Sequence, residues 1–253
     1  MLPIVWLSLT ACKVVDAPES LEELAVYGFV HFDDEDPSAL EAAVAELEPL
    51  LDKHADELEG GLRVDSLRAS DLEAVGVSGA SVSDVVGAMG RVAYTNRVSE
   101  VVEILTHRRK DDLFEDILAY EILQESDRRC FLDGECDRYD QTVKETAKVT
   151  LLGEATRTYD QGFRWIEPAD GERVLLVRTV APNPVSFNTN IANVFQAYSF
   201  AMVYEPGKGS SRMESFWADA ELIGVDVPDS FAVDTAVTSM GEKAESIDSI
   251  IDG

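Results

Sequence analysis

Between Val194 and Tyr204 the chain alternates large and small side chains with a period of two. Val194, Gln196, Tyr198, Phe200, Met202 and Tyr204 fall on one face, and Ala197, Ser199 and Ala201 on the other. Alternation of this length is a strand signal, because successive side chains of an extended chain point to opposite sides. A strand with one bulky and one low-profile face suits a curved sheet that grips a helix on one side. Similar runs surround it, at roughly residues 148–159, 162–167, 174–180, 192–205 and 212–223. Pro168-Ala169-Asp170-Gly171 and Pro206-Gly207-Lys208-Gly209 supply turn residues between them, so an antiparallel meander is predicted. Pro228-Asp229-Ser230 then opens a helix with Val233, Ala236, Val237, Met240, Ala244, Ile247 and Ile251 on one stripe.

The first part of the chain reads mostly as helix. Residues 24–32 are rich in aromatic and β-branched side chains and are expected to form a strand. Asp36 is then placed to cap a helix with Pro37 in its first turn; Leu40, Val44, Leu47, Leu51 and Leu58 recur at helical spacing, Pro49 should kink it, and Gly60-Gly61 should stop it. Ser70-Asp71-Leu72-Glu73 and Ser81-Val82-Ser83-Asp84 each resemble a helix start. Helices are also expected at residues 99–109, ending in His107-Arg108-Arg109-Lys110, and at 113–124. The fold class is therefore α+β: a mainly helical N-terminal region (21–90), then an antiparallel meander packed on a long C-terminal helix (91–253).

That order of elements resembles the helix-grip fold of the START and polyketide-cyclase superfamily. The resemblance implies a cavity between the sheet and the last helix that takes an apolar small molecule, with Trp165, Tyr198, Phe200, Met202, Trp217 and Met240 as its lining. Side chains of these types at such spacings more often belong to a filled core than to a pocket.

Residues 1–12 carry no charge, are mostly apolar, and end in Leu9-Thr10-Ala11-Cys12 before polar sequence begins. This ending resembles the lipobox of bacterial lipoproteins, although no Lys or Arg precedes the apolar run. The resemblance implies a signal peptide at 1–11, cleavage before Cys12, a diacylglyceryl thioether on that cysteine, and a short tether at 12–20. The expected location is then the cell envelope, periplasmic or surface-facing, with outer-membrane sorting permitted by Lys13 in a Gram-negative cell. The alternative is a buried N-terminal strand with a core cysteine. With Cys12 set aside, Cys130 and Cys136 remain as a pair, and the Asp133-Gly134 turn between them lets them close a disulfide, a bond that persists outside the reducing cytosol.

The charge excludes one class of partner. Asp and Glu number 49 against 21 Lys and Arg, a net of -28, which repels nucleic acid. No cofactor or metal is expected. His31, His54 and His107 stand in no recognisable catalytic context, and Asp133, Glu135, Asp137 and Asp140 depart from the EF-hand pattern. Glu154 and Glu167, near Arg157, Arg164, Arg173 and Arg178, read as members of cross-strand ion pairs. The sequence thus leads to a lipid-anchored binding module, the alternative being a non-enzymatic interaction lipoprotein docked on another envelope protein.

Overall fold

The computed structural model describes residues 16–149, 152–168, 172–223 and 229–253. Cys12, its lipobox and most of the Pro168 to Gly171 turn lie outside them. In chain order the elements are α1 (Leu21–His31), α2 (Ser38–Lys53), α3 (Ala55–Gly60), β1 (Leu62–Val64), α4 (Ala69–Ala74), β2 (Val85–Tyr94) and α5 (Val98–Leu105). A 3-10 turn (Lys110–Asp112) leads to β3 (Ile117–Glu125), α6 (Arg128–Leu132), β4 (Arg138–Val149), β5 (Gly153–Ile166), β6 (Val174–Ala181), β7 (Ser186–Phe187), β8 (Ala192–Gly207), β9 (Gly209–Leu222) and α7 (Asp229–Asp252). The strands form one antiparallel sheet in the order β1-β2-β9-β8-β6-β5-β4-β3, with β7 paired to β5. The α+β class, the meander and the long last helix are all present, in a helix-grip-like arrangement.

Three local expectations are corrected. The segment 24–32 is not a strand but most of α1. Leu21, Leu24, Ala25, Gly28 and Phe29 bury one helical stripe, and Ser20 Oγ accepts the Glu23 N–H at the start, so capping and a 3.6-residue period override the β-rich composition. Ser81 to Asp84 form the turn into β2 rather than a helix, and the sheet therefore begins before residue 91. Residues 113–124 contribute β3. Register shifts between Ile117 and Ala119 and between Ile122 and Gln124 break its period of two, which is why its apolar spacing imitates a helix. In the helix over 38–60 the break falls at His54, between α2 and α3, and Asp36 Oδ1 accepts from Ser38 N at 3.0 Å as its position before the helix suggested.

Both faces of the sheet are covered. The bulky side of β8, with Tyr198, Phe200, Met202 and Tyr204, packs against Leu24, Phe29, Leu40, Leu47 and Leu51 of α1 and α2. The small side, with Ala197, Ala201 and Val203, faces Val101 and Val102 of α5 and Ala244 and Ile247 of α7. At about 1.5–3 kcal/mol per buried large apolar side chain, each layer supplies a core of its own. α7 approaches the sheet closely because two glycines lie beneath it. A Cβ on Gly61 would stand 2.7 Å, and one on Gly90 2.9 Å, from Val237 Cγ2. Its far end is pinned by Asp248, which accepts from Thr95 N at 2.8 Å and Asn96 Nδ2 at 3.0 Å.

Candidate functional site

The six side chains expected to line one cavity are not together. Tyr198, Phe200, Met202 and Trp217 are buried on the face away from α7. Phe29 meets Tyr198 and Trp217 edge-on, at 6.1 and 5.8 Å between centroids. Their polar atoms are satisfied internally: Tyr198 Oη donates to Gln196 Oε1 at 2.8 Å, and Trp217 Nε1 to the Asp65 carbonyl at 3.0 Å. Only Met240 is on the other side, on α7 itself, with its Sδ 3.5 Å from where a Cβ on Gly90 would stand. Trp165 stacks on Phe131 and lines an open surface cleft of about 560 Å³ with Cys136, Glu167 and Arg173. Arg173 Cζ sits 4.5 Å from the Trp165 ring centroid, and its Nε is 3.3 Å from Glu167 without the alignment of a hydrogen bond. Bulky and small faces were legible in β8, but the helices that would cover each were not.

The face that α5, the 3-10 turn and α7 do cover carries a polar row across four central strands. Strand register places Gln141, Gln161, Thr179 and Ser199 side by side from β4 to β8. Gln141 Nε2 donates to Gln161 Oε1 at 3.0 Å and to Tyr120 Oη at 3.2 Å, Gln161 Nε2 donates to Thr179 Oγ1 at 3.2 Å, and Tyr139 Oη donates to Gln141 Oε1 at 3.1 Å. Gln161 and Thr179 remain half-buried although their strands are central. Apolar residues flank the row on both sides, Val143 and Tyr159 on one and Phe163, Val177 and Ala201 on the other.

Beyond this row lies a charged cluster. Glu145 takes two hydrogen bonds from Arg157, at 2.8 and 3.1 Å, and one from Tyr159 Oη at 3.1 Å. This is a cross-strand ion pair, though with Glu145 rather than with the Glu154 singled out from the sequence. Burial alone would raise the Glu145 carboxyl, but the charges of Arg157 and Lys110 outweigh it and hold it low. Tyr120 is pushed up to about 12 by burial, with the Glu145 charge adding to the effect. Lys110, only 9 % exposed, has its Nζ 5.3 Å from the Tyr120 ring centroid. Burial lowers it to about 7, aided by the positive charges of Lys243, Arg212 and Arg157 and opposed by Glu145.

Arg157 is exposed, with 43 % of its side chain reachable by solvent, and it brings the charged cluster to the surface. Nothing in the local sequence marked the row, because its members are about 20 residues apart and only strand register brings them together. The available signal was a polar residue at the centre of each of several otherwise alternating strands.

The three histidines are bonded locally, His31 to Asp34 at 2.7 Å, His54 to Glu57 at 2.9 Å, and His107 to the Arg109 N–H at 3.2 Å. Among the described residues no group of three or more His, Cys, Asp and Glu is arranged to hold a metal. Cys130 and Cys136 are joined in a disulfide with Cα atoms 5.2 Å apart. The chain between them turns at Gly134, whose φ of 75° suits a residue without a Cβ.

No protein-family model matches the chain, and no curated protein matches it in sequence. Among solved structures, it is similar to a START superfamily protein from Mycobacterium smegmatis (11% identity, TM-score 0.41, covering 66% of this chain and 97% of the other). It is also similar to the Zhui aromatase/cyclase from Streptomyces sp. R1128 (15%, 0.40, 66% and 94%) and to human STARD10 (7%, 0.42, 75% and 81%). At these identities and TM-scores no residue role passes from those proteins to this one.

Proposed function

We propose that the chain is an extracytoplasmic binding module, held at a membrane through a lipid on Cys12, that takes a small molecule with an apolar body against the sheet face that carries the polar row. The observation that carries this reading is a hydrogen-bonded polar row, with Gln161 and Thr179 half-buried on central strands, on an otherwise apolar face. A face needed only for packing gains nothing from such a row, since burying polar groups costs free energy that their hydrogen bonds only offset. The disulfide suits an oxidising compartment, in keeping with the lipobox-like ending at Cys12. Native mass spectrometry of the purified chain tests the reading. A folded mass above the denatured mass, lost on organic extraction, supports a retained ligand; identical masses, together with no uptake of an added apolar fluorophore, overturn it.

A second reading has its own observation. Ile191, Phe195 and Ile223 expose 48%, 41% and 51% of their surfaces near one another, with Ile223 N donating to the Ile191 carbonyl at 2.8 Å. Such a patch suits docking on another envelope protein. Size-exclusion chromatography of wild type and Phe195→Ser separates the two readings, since only docking makes self-association or partner retention depend on Phe195.

A further inference from the structure

The open cleft beside Trp165 holds an arginine that is poorly satisfied there. Its walls come from the start of α2, the loop closed by the disulfide, the end of β5 and the residue before β6, and it measures about 560 Å³. Trp165 is half-buried in it and is fixed by stacking on the buried Phe131, with 5.8 Å between centroids. Arg173 Cζ lies 4.5 Å from the centroid of the same ring, so the cleft already seats one guanidinium against an indole. That guanidinium is incompletely bonded. Its Nε is buried without a hydrogen-bond partner, and Glu167, 3.3 Å away, is not aligned to accept from it. Arg157, by contrast, gives Glu145 two hydrogen bonds, at 2.8 and 3.1 Å. Three further carboxylates line the cleft, on Glu41, Glu135 and Asp137, and among the described residues none of them forms an ion pair. Four carboxylates thus share with one cation a space that has room for another.

We infer that the cleft receives a basic side chain, arginine in preference to lysine, from an extended segment of another protein, laid against Trp165 in the place of Arg173 and met by the carboxylates of Glu135 and Asp137. Arginine suits both surfaces at once, since its planar guanidinium stacks on an aromatic ring while its fork of donors pairs with carboxylates; a lysine ammonium pairs as a point charge and stacks less well. The acidic walls repel an anion. A metal ion does not suit the geometry, because among the described residues no three His, Cys, Asp or Glu side chains are arranged to hold one. The openness of the cleft favours a protein segment over a free amine: a single small cation there stays mostly in water, where one exposed pair contributes little. A segment with several basic residues adds the pull of the surrounding surface, in a chain of net charge -28 whose exposed Asp133 and Glu172 adjoin cleft residues in sequence. Arg173 is then an internal stand-in that leaves the ring when the partner's arginine arrives. The cleft shares no residue with the polar row or with the Ile191, Phe195 and Ile223 patch.

The test is fluorescence anisotropy of a labelled peptide with three arginines spaced by glycines, and of its lysine counterpart, on the purified chain at about 0.05 M salt. Wild type is expected to bind the arginine peptide about threefold or more tighter than the lysine peptide, the size of a cation–π contact at an exposed site. The double variant Glu135→Gln, Asp137→Asn should weaken binding about fivefold or more. Removing two exposed charges elsewhere, in Glu59→Gln, Glu73→Gln, should change it less than about twofold. Trp165→Leu should erase the preference for arginine, and Arg173→Ala, which vacates the ring, should tighten binding about threefold. Glu135 and Asp137 are exposed, so their variant tests the site even where Trp165→Leu fails to fold. Equal losses in the two double variants mean diffuse attraction to an acidic surface and overturn the site. So does the absence of binding to wild type, or weaker binding by Arg173→Ala. Displacement of the peptide by an equal concentration of spermine makes a free polyamine the occupant and overturns the partner assignment. None of these outcomes bears on the small molecule proposed at the polar row.

Discussion

Gly28 of α1 faces Phe200 of β8 so closely that a Cβ on the glycine would overlap the aromatic ring. This contact seats the N-terminal helical layer on the bulky side of the sheet. Alanine favours a helix interior over glycine by about 1 kcal/mol, but overpacking a core costs about 1–3 kcal/mol. Gly28→Ala is therefore expected to lower the melting temperature by a few degrees, and Phe200→Leu in the same chain to restore part of the loss, as a double-mutant cycle by thermal denaturation would show. Additive effects of the two substitutions would mean that helix and strand do not meet there.

Lys110 should make stability depend on pH in an uncommon direction. Its proton affinity is lowered from the ordinary lysine value of 10.5 to about 7, first by burial. Between these values the unfolded chain holds a proton that the folded chain has released, so stability rises with pH across that window. Below about 7 both states are protonated and the cost of the buried charge is complete. Besides burial, the charged groups that set this are Glu145, Arg157 and Arg212 on the sheet and Lys243 on α7. Lys110→Met should stabilise the ligand-free protein by about 1–4 kcal/mol near pH 6, with a gain that shrinks towards pH 10 in denaturant titrations. A constant gain would show that Lys110 keeps its charge throughout.

Asp33 ties the end of α1 to the sheet by accepting hydrogen bonds from both Arg138 and Arg178. Burial pushes its carboxyl up, but the two guanidinium groups outweigh that and leave it below the ordinary 3.8. Its contribution is present above that value and lost as pH falls through the lowered one. Because Asp33 is half-exposed, the effect is small. Asp33→Asn should flatten the acid side of the stability curve as pH falls below the ordinary 3.8 and leave the neutral side parallel to wild type.

Opening the Cys130 to Cys136 bond should cost about 2 kcal/mol, the value for a short closed loop. Non-reducing mass analysis of the native protein should show a gain of two hydrogens on reduction. The Cys130→Ser, Cys136→Ser double variant should melt several degrees lower without disturbing the polar row, which lies on other elements.

Elements whose signals are local were legible. The α7 stripe, the Asp36 start, the Pro206 to Gly209 hairpin and the bulky and small faces of β8 could each be read from neighbouring residues. α1 was misread because Tyr27, Phe29 and Val30 favour strands in isolation, whereas Leu21, Leu24 and Phe29 pay their way only as one helical stripe on the sheet. β3 was misread because its bulges shift the apolar period. The charged cluster was hidden for a different reason. Lys110 belongs to a basic run that suits a helix end, and nothing nearby distinguishes it from the exposed Arg108 and Arg109. Its inward course follows from the 3-10 turn that packs against β3.

The same bulges in β3 bear on how the molecule behaves in a crowd. Among the described residues β3 ends the sheet and leaves one row of backbone groups without a strand partner, with Leu118 and Leu123 exposed along it. A straight strand with that composition would invite a second copy to add its own edge. Two register shifts within nine residues mean that an incoming strand can stay in step for only a few bonds, and Glu121, exposed between the leucines, sets like charges against each other at every attempt. Irregular pairing thus lets the chain keep an apolar edge while many copies share one surface.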